Sequence, residues 1–157
     1  MSALKTATLA AVLLLTSASI SYADERYPRI QDEIVLKECG ECHMAFQPQM
    51  LPGRSWVKIM NTLDDHFGED ASLDMATTQH IETHLAENAA DAGWFSGKFM
   101  RGIKGAMIPL RITETPYWVR EHDEEVHPRA WSDPKIKSKA NCVACHAEAQ
   151  RGYYDDD

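Results

Sequence analysis

All four cysteines of the chain fall into two copies of one pentapeptide, Cys39-Gly40-Glu41-Cys42-His43 and Cys142-Val143-Ala144-Cys145-His146. C-x-x-C-H is the attachment signature of c-type haem. The spacing has a chemical reason. On a helical turn, two thiols three positions apart reach the two vinyl groups on one edge of the porphyrin and form thioethers. The histidine that follows then comes under the ring and gives a nitrogen to iron. Other uses of four cysteines fit less well. Two disulfides, the ordinary choice in an oxidising compartment, leave the histidine after each pair unexplained. A thioredoxin-like pair sits between a strand and a helix, and no strand pattern precedes either copy. A four-thiolate zinc site accounts neither for the wide separation of the pairs nor for the histidines. The expectation is two covalently bound c-type haems, attached through Cys39, Cys42, Cys142 and Cys145, with His43 and His146 as proximal ligands.

The first residues set the compartment. Lys5 is followed by the apolar run Leu9 to Leu15 and by Ser21-Tyr22-Ala23, small residues at the positions a signal peptidase reads. Residues 1–23 therefore read as a cleaved secretory signal. A membrane span needs about 20 continuous apolar residues, and Thr16, Ser17, Ser19 and Ser21 interrupt this run. A mature chain in a periplasm-like space is expected, with no membrane span after cleavage. Removing the signal takes away one lysine and no acid, leaving 15 Lys and Arg against 24 Asp and Glu, a formal charge of −9. That charge argues against nucleic acid as a partner and allows a basic protein surface.

Five further histidines and the methionines compete for the far side of each iron. The choice matters, because a thioether raises the reduction potential and a second imidazole lowers it. Ser55 reads as an N-cap, and Trp56, Ile59, Met60 and Leu63 follow at helical spacing, predicting an amphipathic helix from 56 to about 66. His66 would extend its apolar stripe. Asp74 caps a second predicted helix, 75 to 88, with Thr78, Ile81 and Leu85 inward and His80 and His84 on a partly solvated flank. An i, i+4 histidine pair could instead bind zinc. Thr115 as N-cap and Pro116 at the first position start a third helix, 116 to 124. His122 lies on its apolar side, whereas His127 falls in a polar turn before Pro128. His66 and His122 are the expected sixth ligands. Met107, 64 residues after His43 and near Pro109, is the alternative, since many monohaem cytochromes c take a methionine from such a place.

Gly93, Gly97, Gly102 and Gly105 mark a natural boundary between a unit at 24–95 and a unit at 96–157. Each holds one attachment motif and one facing histidine, and neither buries much apolar surface alone. Each is expected to fold around its own haem. No alternating strand longer than Leu110 to Thr113 is evident, so a mostly α protein with long loops is expected. The tail from Tyr153 to Asp157 reads as a solvated, disordered end. Lys135, Lys137 and Lys139 form a local basic patch, read as ordinary surface charge or as a contact for a partner or a haem propionate.

The stretches E-C-G-E-C-H-M-A (38 to 45), Q-M-L-P-G-R-S-W (49 to 56), D-H-F-G-E-D-A-S-L-D (65 to 74), R-I-T-E-T-P-Y-W (111 to 118) and K-A-N-C-V-A-C-H (139 to 146) resemble the small bacterial dihaem cytochromes c of the DHC type. The resemblance covers nearly the whole chain after the signal. It implies two domains with one haem each, the first similar to a class I cytochrome c and the second irregular. It also implies two imidazoles on each iron. The partner it implies is a monohaem, oxygen-binding cytochrome c as electron acceptor, with a membrane cytochrome b as a possible donor. No role for His80, His84 or His127 follows from it.

The leading functional expectation is an electron carrier without substrate chemistry of its own, because irons with all six positions filled have no open site. The second is a dihaem peroxidase-like enzyme, which would need one iron able to lose a ligand. A sensor module would need an output domain, and none is encoded in the sequence.

Overall fold

Asp32 opens the first helix. Its Oδ1 accepts hydrogen bonds from the backbone N–H groups of Ile34 and Val35 at 3.0 and 3.1 Å, which start α1, Glu33–Gly40. The computed structural model describes residues 26–94 and 97–154. The expected signal, 1–23, lies outside the described residues. Among those described, no helix is long and apolar enough to cross a membrane.

The second helix, α2, spans Gly53–Met60, earlier at both ends than the apolar spacing predicts. Ser55 is not its N-cap. Pro52, in extended geometry, turns the chain into the helix, and its carbonyl accepts from the Ser55 and Trp56 amides. The Gly53 amide is capped from a distance, by Asp91 Oδ1 at 2.7 Å. The helix stops because Asn61 Nδ2 and Thr62 Oγ1 donate to the Val57 and Lys58 carbonyls, side chains competing with the backbone for the last acceptors. A 3-10 turn, Leu63–Asp65, follows and delivers His66 at its end.

Helix α3, Met75–Glu87, forms where expected, with Asp74 accepting from the Ala76 and Thr77 amides. Ile81 and Leu85 are buried on its inner face; burial of side chains this size contributes about 1.5–3 kcal/mol each. This face packs on α2 and α1. Helix α4, Pro116–Glu125, also matches its signals, Thr115 Oγ1 accepting from the Trp118 amide at 3.4 Å. It packs on 3-10 turns at Lys98–Met100 and Ile112–Glu114. Leu110 to Thr113 therefore runs into a turn instead of a strand. Further 3-10 turns occupy Pro48–Met50, Pro128–Ser132, Cys142–Ala144 and Ala149–Arg151.

The described residues are thus mostly helical, with two isolated bridges and no strand. One apolar cluster draws on residues from both sides of the expected 95/96 boundary. Ile30, Val35, Leu51, Trp56, Ile81 and Leu85 share it with Phe99, Ile112, Tyr117 and Trp118. The last described residues close back on the first. Tyr27 N donates to Gly152 O at 2.8 Å, and Arg26 bridges Tyr153. Tyr154 is packed against the cluster, so the expected solvated end does not begin at Tyr153; Asp155 to Asp157 lie outside the described residues.

Candidate metal centres

The first motif begins inside α1 and ends beyond it. Cys39 sits in the last turn of α1, and Glu41 keeps helical geometry for one more residue. Burial, with Glu38 adding to it, pushes the Cys39 thiol up to about 11, whereas Cys42 is exposed. His43 Nδ1 donates to the Met44 carbonyl at 2.7 Å, and its ring stacks on Phe46 at 5.0 Å. With Nδ1 protonated, Nε2 carries the free lone pair, the arrangement that metal-binding histidines adopt.

The second motif is built on a 3-10 turn. The Cys142 carbonyl accepts from the amides of both Cys145 and His146, at 3.2 and 2.8 Å. Asn141 anchors the turn through Nδ2 to the Ile136 carbonyl. Burial pushes the Cys142 thiol up to about 11, and Cys145 is exposed. His146 meets the edge of Tyr154 at 5.5 Å. Its Nδ1 is buried without a hydrogen-bond partner, a contrast with His43. In each motif one thiol is sheltered and the other open.

A second histidine ring comes to each motif. His66 lies 6.2 Å from His43, centre to centre, with 28° between the planes. His122 lies 6.3 Å from His146 at 81°. An imidazole nitrogen sits about 2.0–2.1 Å from the metal it binds and about 1.1 Å from its own ring centre, so two rings across one metal stand about 6.2–6.4 Å apart. Both pairs leave a gap of that size. The four thiols, the two gaps and the free Nε2 lone pair of His43 fit two haems.

Different elements hold the outer ring of each pair. His66 is pinned by backbone bonds with Glu69, 2.8 and 3.3 Å. Phe67 beside it has φ 58°, a left-handed value costly for a non-glycine residue. Arg111 lies 3.9 Å over the Phe67 ring, a cation–π contact that secures the turn. Burial, with the His43 ring and Arg111 adding to it, holds His66 below the ordinary histidine range, so at pH 7 its lone pair is available. His122 is fixed within α4. Its Nδ1 donates to the Trp118 carbonyl at 2.9 Å, and its ring stacks on the Trp118 indole at 3.9 Å and 15°.

The other candidates lie elsewhere. Met107 is 42% exposed, and its sulfur accepts from the Lys104 amide at 3.4 Å. His127 Nδ1 accepts from the Arg129 amide, capping the turn at Pro128–Ser132. His80 and His84 converge on Asp32 Oδ2, at 2.7 and 3.7 Å, which ties α3 to the start of α1. Among the described residues no group of three or more His, Cys, Asp or Glu is arranged to hold a metal ion. Lys139 is exposed, and its Nζ lies over Trp118 and Trp131 at 5.5 and 5.3 Å. The sequence reading missed the bond between Tyr154 and Gln47 and the pairing of Arg111 with Phe67.

The family model described as dihaem cytochrome c, DHC, matches residues 35–154. The chain belongs to this family. The diheme cytochrome c from Rhodobacter sphaeroides is 44% identical, with a TM-score of 0.76, and covers 81% of this chain and 99% of its own. A second structure of DHC purified from the same organism is 43% identical, TM-score 0.67, covering 80% and 98%. The diheme cytochrome type c of Shewanella baltica OS155 is 34% identical, TM-score 0.65, covering 80% and 89%. No curated protein sequence matches the chain significantly. Family membership brings two c-type haems to this dihaem cytochrome c, and a helical protein carrying two such groups is suited to electron transfer.

Proposed function

We propose that this dihaem cytochrome c is a periplasmic electron carrier in which His66 completes the coordination begun by His43, and His122 that begun by His146. One haem would belong to each unit, 24–95 and 96–157. The observation that carries the reading is the pair of ring separations, 6.2 and 6.3 Å. Each matches two imidazoles sharing one metal. The haems, when bound, supply one-electron chemistry. The chain supplies the rest: Cys39, Cys42, Cys142 and Cys145 tether, the four histidines clamp, and the core excludes water. With a histidine on both faces of each iron, no site would be left for a small molecule to bind. Electrons would pass from a donor, for which a membrane cytochrome b is suited, to a monohaem oxygen-binding cytochrome c. The secretory-signal pattern read from the sequence of residues 1–23 supports the location.

The test is carbon monoxide mixed with the reduced, haem-loaded chain. No rapid binding at either haem is expected. Fast binding of one equivalent would overturn the carrier reading in favour of a peroxidase-like centre that opens. Mass spectrometry of the exported chain should find the added mass of two haems.

A further inference from the structure

We propose that Trp118 is a positioning residue for the C-terminal iron: it holds His122 crosswise to His146 and so makes the two irons electronically unequal. The inference rests on the reading of His66 and His122 as sixth ligands. Trp118 acts on His122 twice, through its carbonyl at 2.9 Å from Nδ1 and through an indole stacked at 3.9 Å and 15°. The hydrogen bond fixes where Nδ1 points. The stack fixes the plane, because rotating the imidazole about its Cβ–Cγ bond would break the face contact. The indole itself cannot swing. It is buried and flanked by Trp131 at 5.8 Å and by Lys139. In the first pair the outer ring has no such stack, Phe67 meeting His66 edge-on at 4.8 Å; there the stacked contact is on the motif histidine, His43 on Phe46 at 5.0 Å.

The result is an angle of 81° between His122 and His146, against 28° between His43 and His66. Each imidazole donates π density to the iron d orbital that lies across its own plane. Near-parallel rings raise one of the two dπ orbitals and separate the pair. Crossed rings raise both alike and leave them close in energy. A ferric low-spin centre with separated orbitals gives three well-spread EPR lines. One with nearly equal orbitals gives a single broad feature at higher g.

The experiment is low-temperature EPR of the oxidised full-length chain, with haem counted as two per polypeptide by pyridine haemochrome. Two low-spin signals in equal amount are expected, one of each type. Trp118→Leu, with both haems retained, should move at least half of the high-g intensity to lower g and leave the three-line signal unchanged. Trp118→Phe, whose smaller ring covers less of His122, should broaden the high-g signal to a lesser degree. Should Trp118→Leu fail to load haem, Trp118→Phe decides. Two three-line spectra in the wild type would overturn the proposal while leaving two imidazoles per iron intact. An unaltered high-g signal in a fully loaded variant would also overturn it. Failure of the ligand reading looks different: a high-spin signal, or the far-red band of a methionine-ligated ferric haem.

Discussion

Gln47 and Tyr154 tie the segment after the first motif to the last described residues. The Gln47 side chain is fully buried; its Nε2 donates to the Ala149 carbonyl at 2.9 Å, and its Oε1 accepts from the Tyr154 hydroxyl. Burial drives the Tyr154 phenol far above its ordinary value, so it remains a donor across the working pH range. Tyr154→Phe should leave Oε1 buried without a donor, at a cost of about 1–3 kcal/mol. Guanidinium unfolding would show this as a lower midpoint at constant slope.

Removing an outer ring should open one iron and leave the other closed. His66→Ala and His122→Ala are each expected to bind one equivalent of carbon monoxide rapidly when reduced, whereas the wild type binds none. His66→Met should keep six ligands and raise the potential of that haem, because a thioether favours the reduced iron. Met107→Leu serves as the control, and its visible spectrum and potentials should equal those of the wild type.

Asp32 should make the fold acid-sensitive. The Val35 amide hydrogen bond, aided by His80 and His84 against the opposing effect of burial, holds its carboxyl below the ordinary aspartate range. A group with a lowered folded value stabilises the fold above its unfolded value, about 3.9 for aspartate. That contribution is lost as pH falls through the lower folded value. Asp32→Asn, which still caps α1, should abolish this part of the acid loss. Asp32→Ala should remove the cap as well, at about 0.5–2 kcal/mol near neutral pH. Thermal melting between pH 3 and pH 7 would read both.

Gly152 has φ 87°, and a Cβ built there would stand 2.2 Å from the Tyr27 carbonyl oxygen. No side-chain rotation relieves a clash with backbone. Gly152→Ala should destabilise by more than about 1 kcal/mol and break the bond from Tyr27 N to Gly152 O. Faster hydrogen exchange at the Tyr27 amide would register the loss.

Where a structural signal was local, it could be read from the residues. Asp74 and the pair Thr115-Pro116 announce α3 and α4 because a cap and the amides it serves lie within three positions. The place of His122 on α4 was legible for the same reason, being one turn from Trp118. The route to His66 was not. Periodicity carried the helix on past Met60, but Asn61 and Thr62 take its last carbonyls, and the ring arrives on a turn instead. The start of α2 depends on Asp91, distant in sequence. Tyr154 stands beside a run of acids, and only the folded chain shows it reaching Gln47. Such partners are chosen by tertiary packing, which no short window of residues encodes.

The guanidinium of Arg111 stacked on Phe67 has a consequence for how the molecule could be divided. Arg111 belongs to the later half of the polypeptide, and the turn it steadies presents His66 to His43. Truncation after residue 95 would leave the leading fragment both rings but strip away the cation seating one of them. Grafting that fragment elsewhere as a single-haem module would require a substitute weight on the Phe67 face.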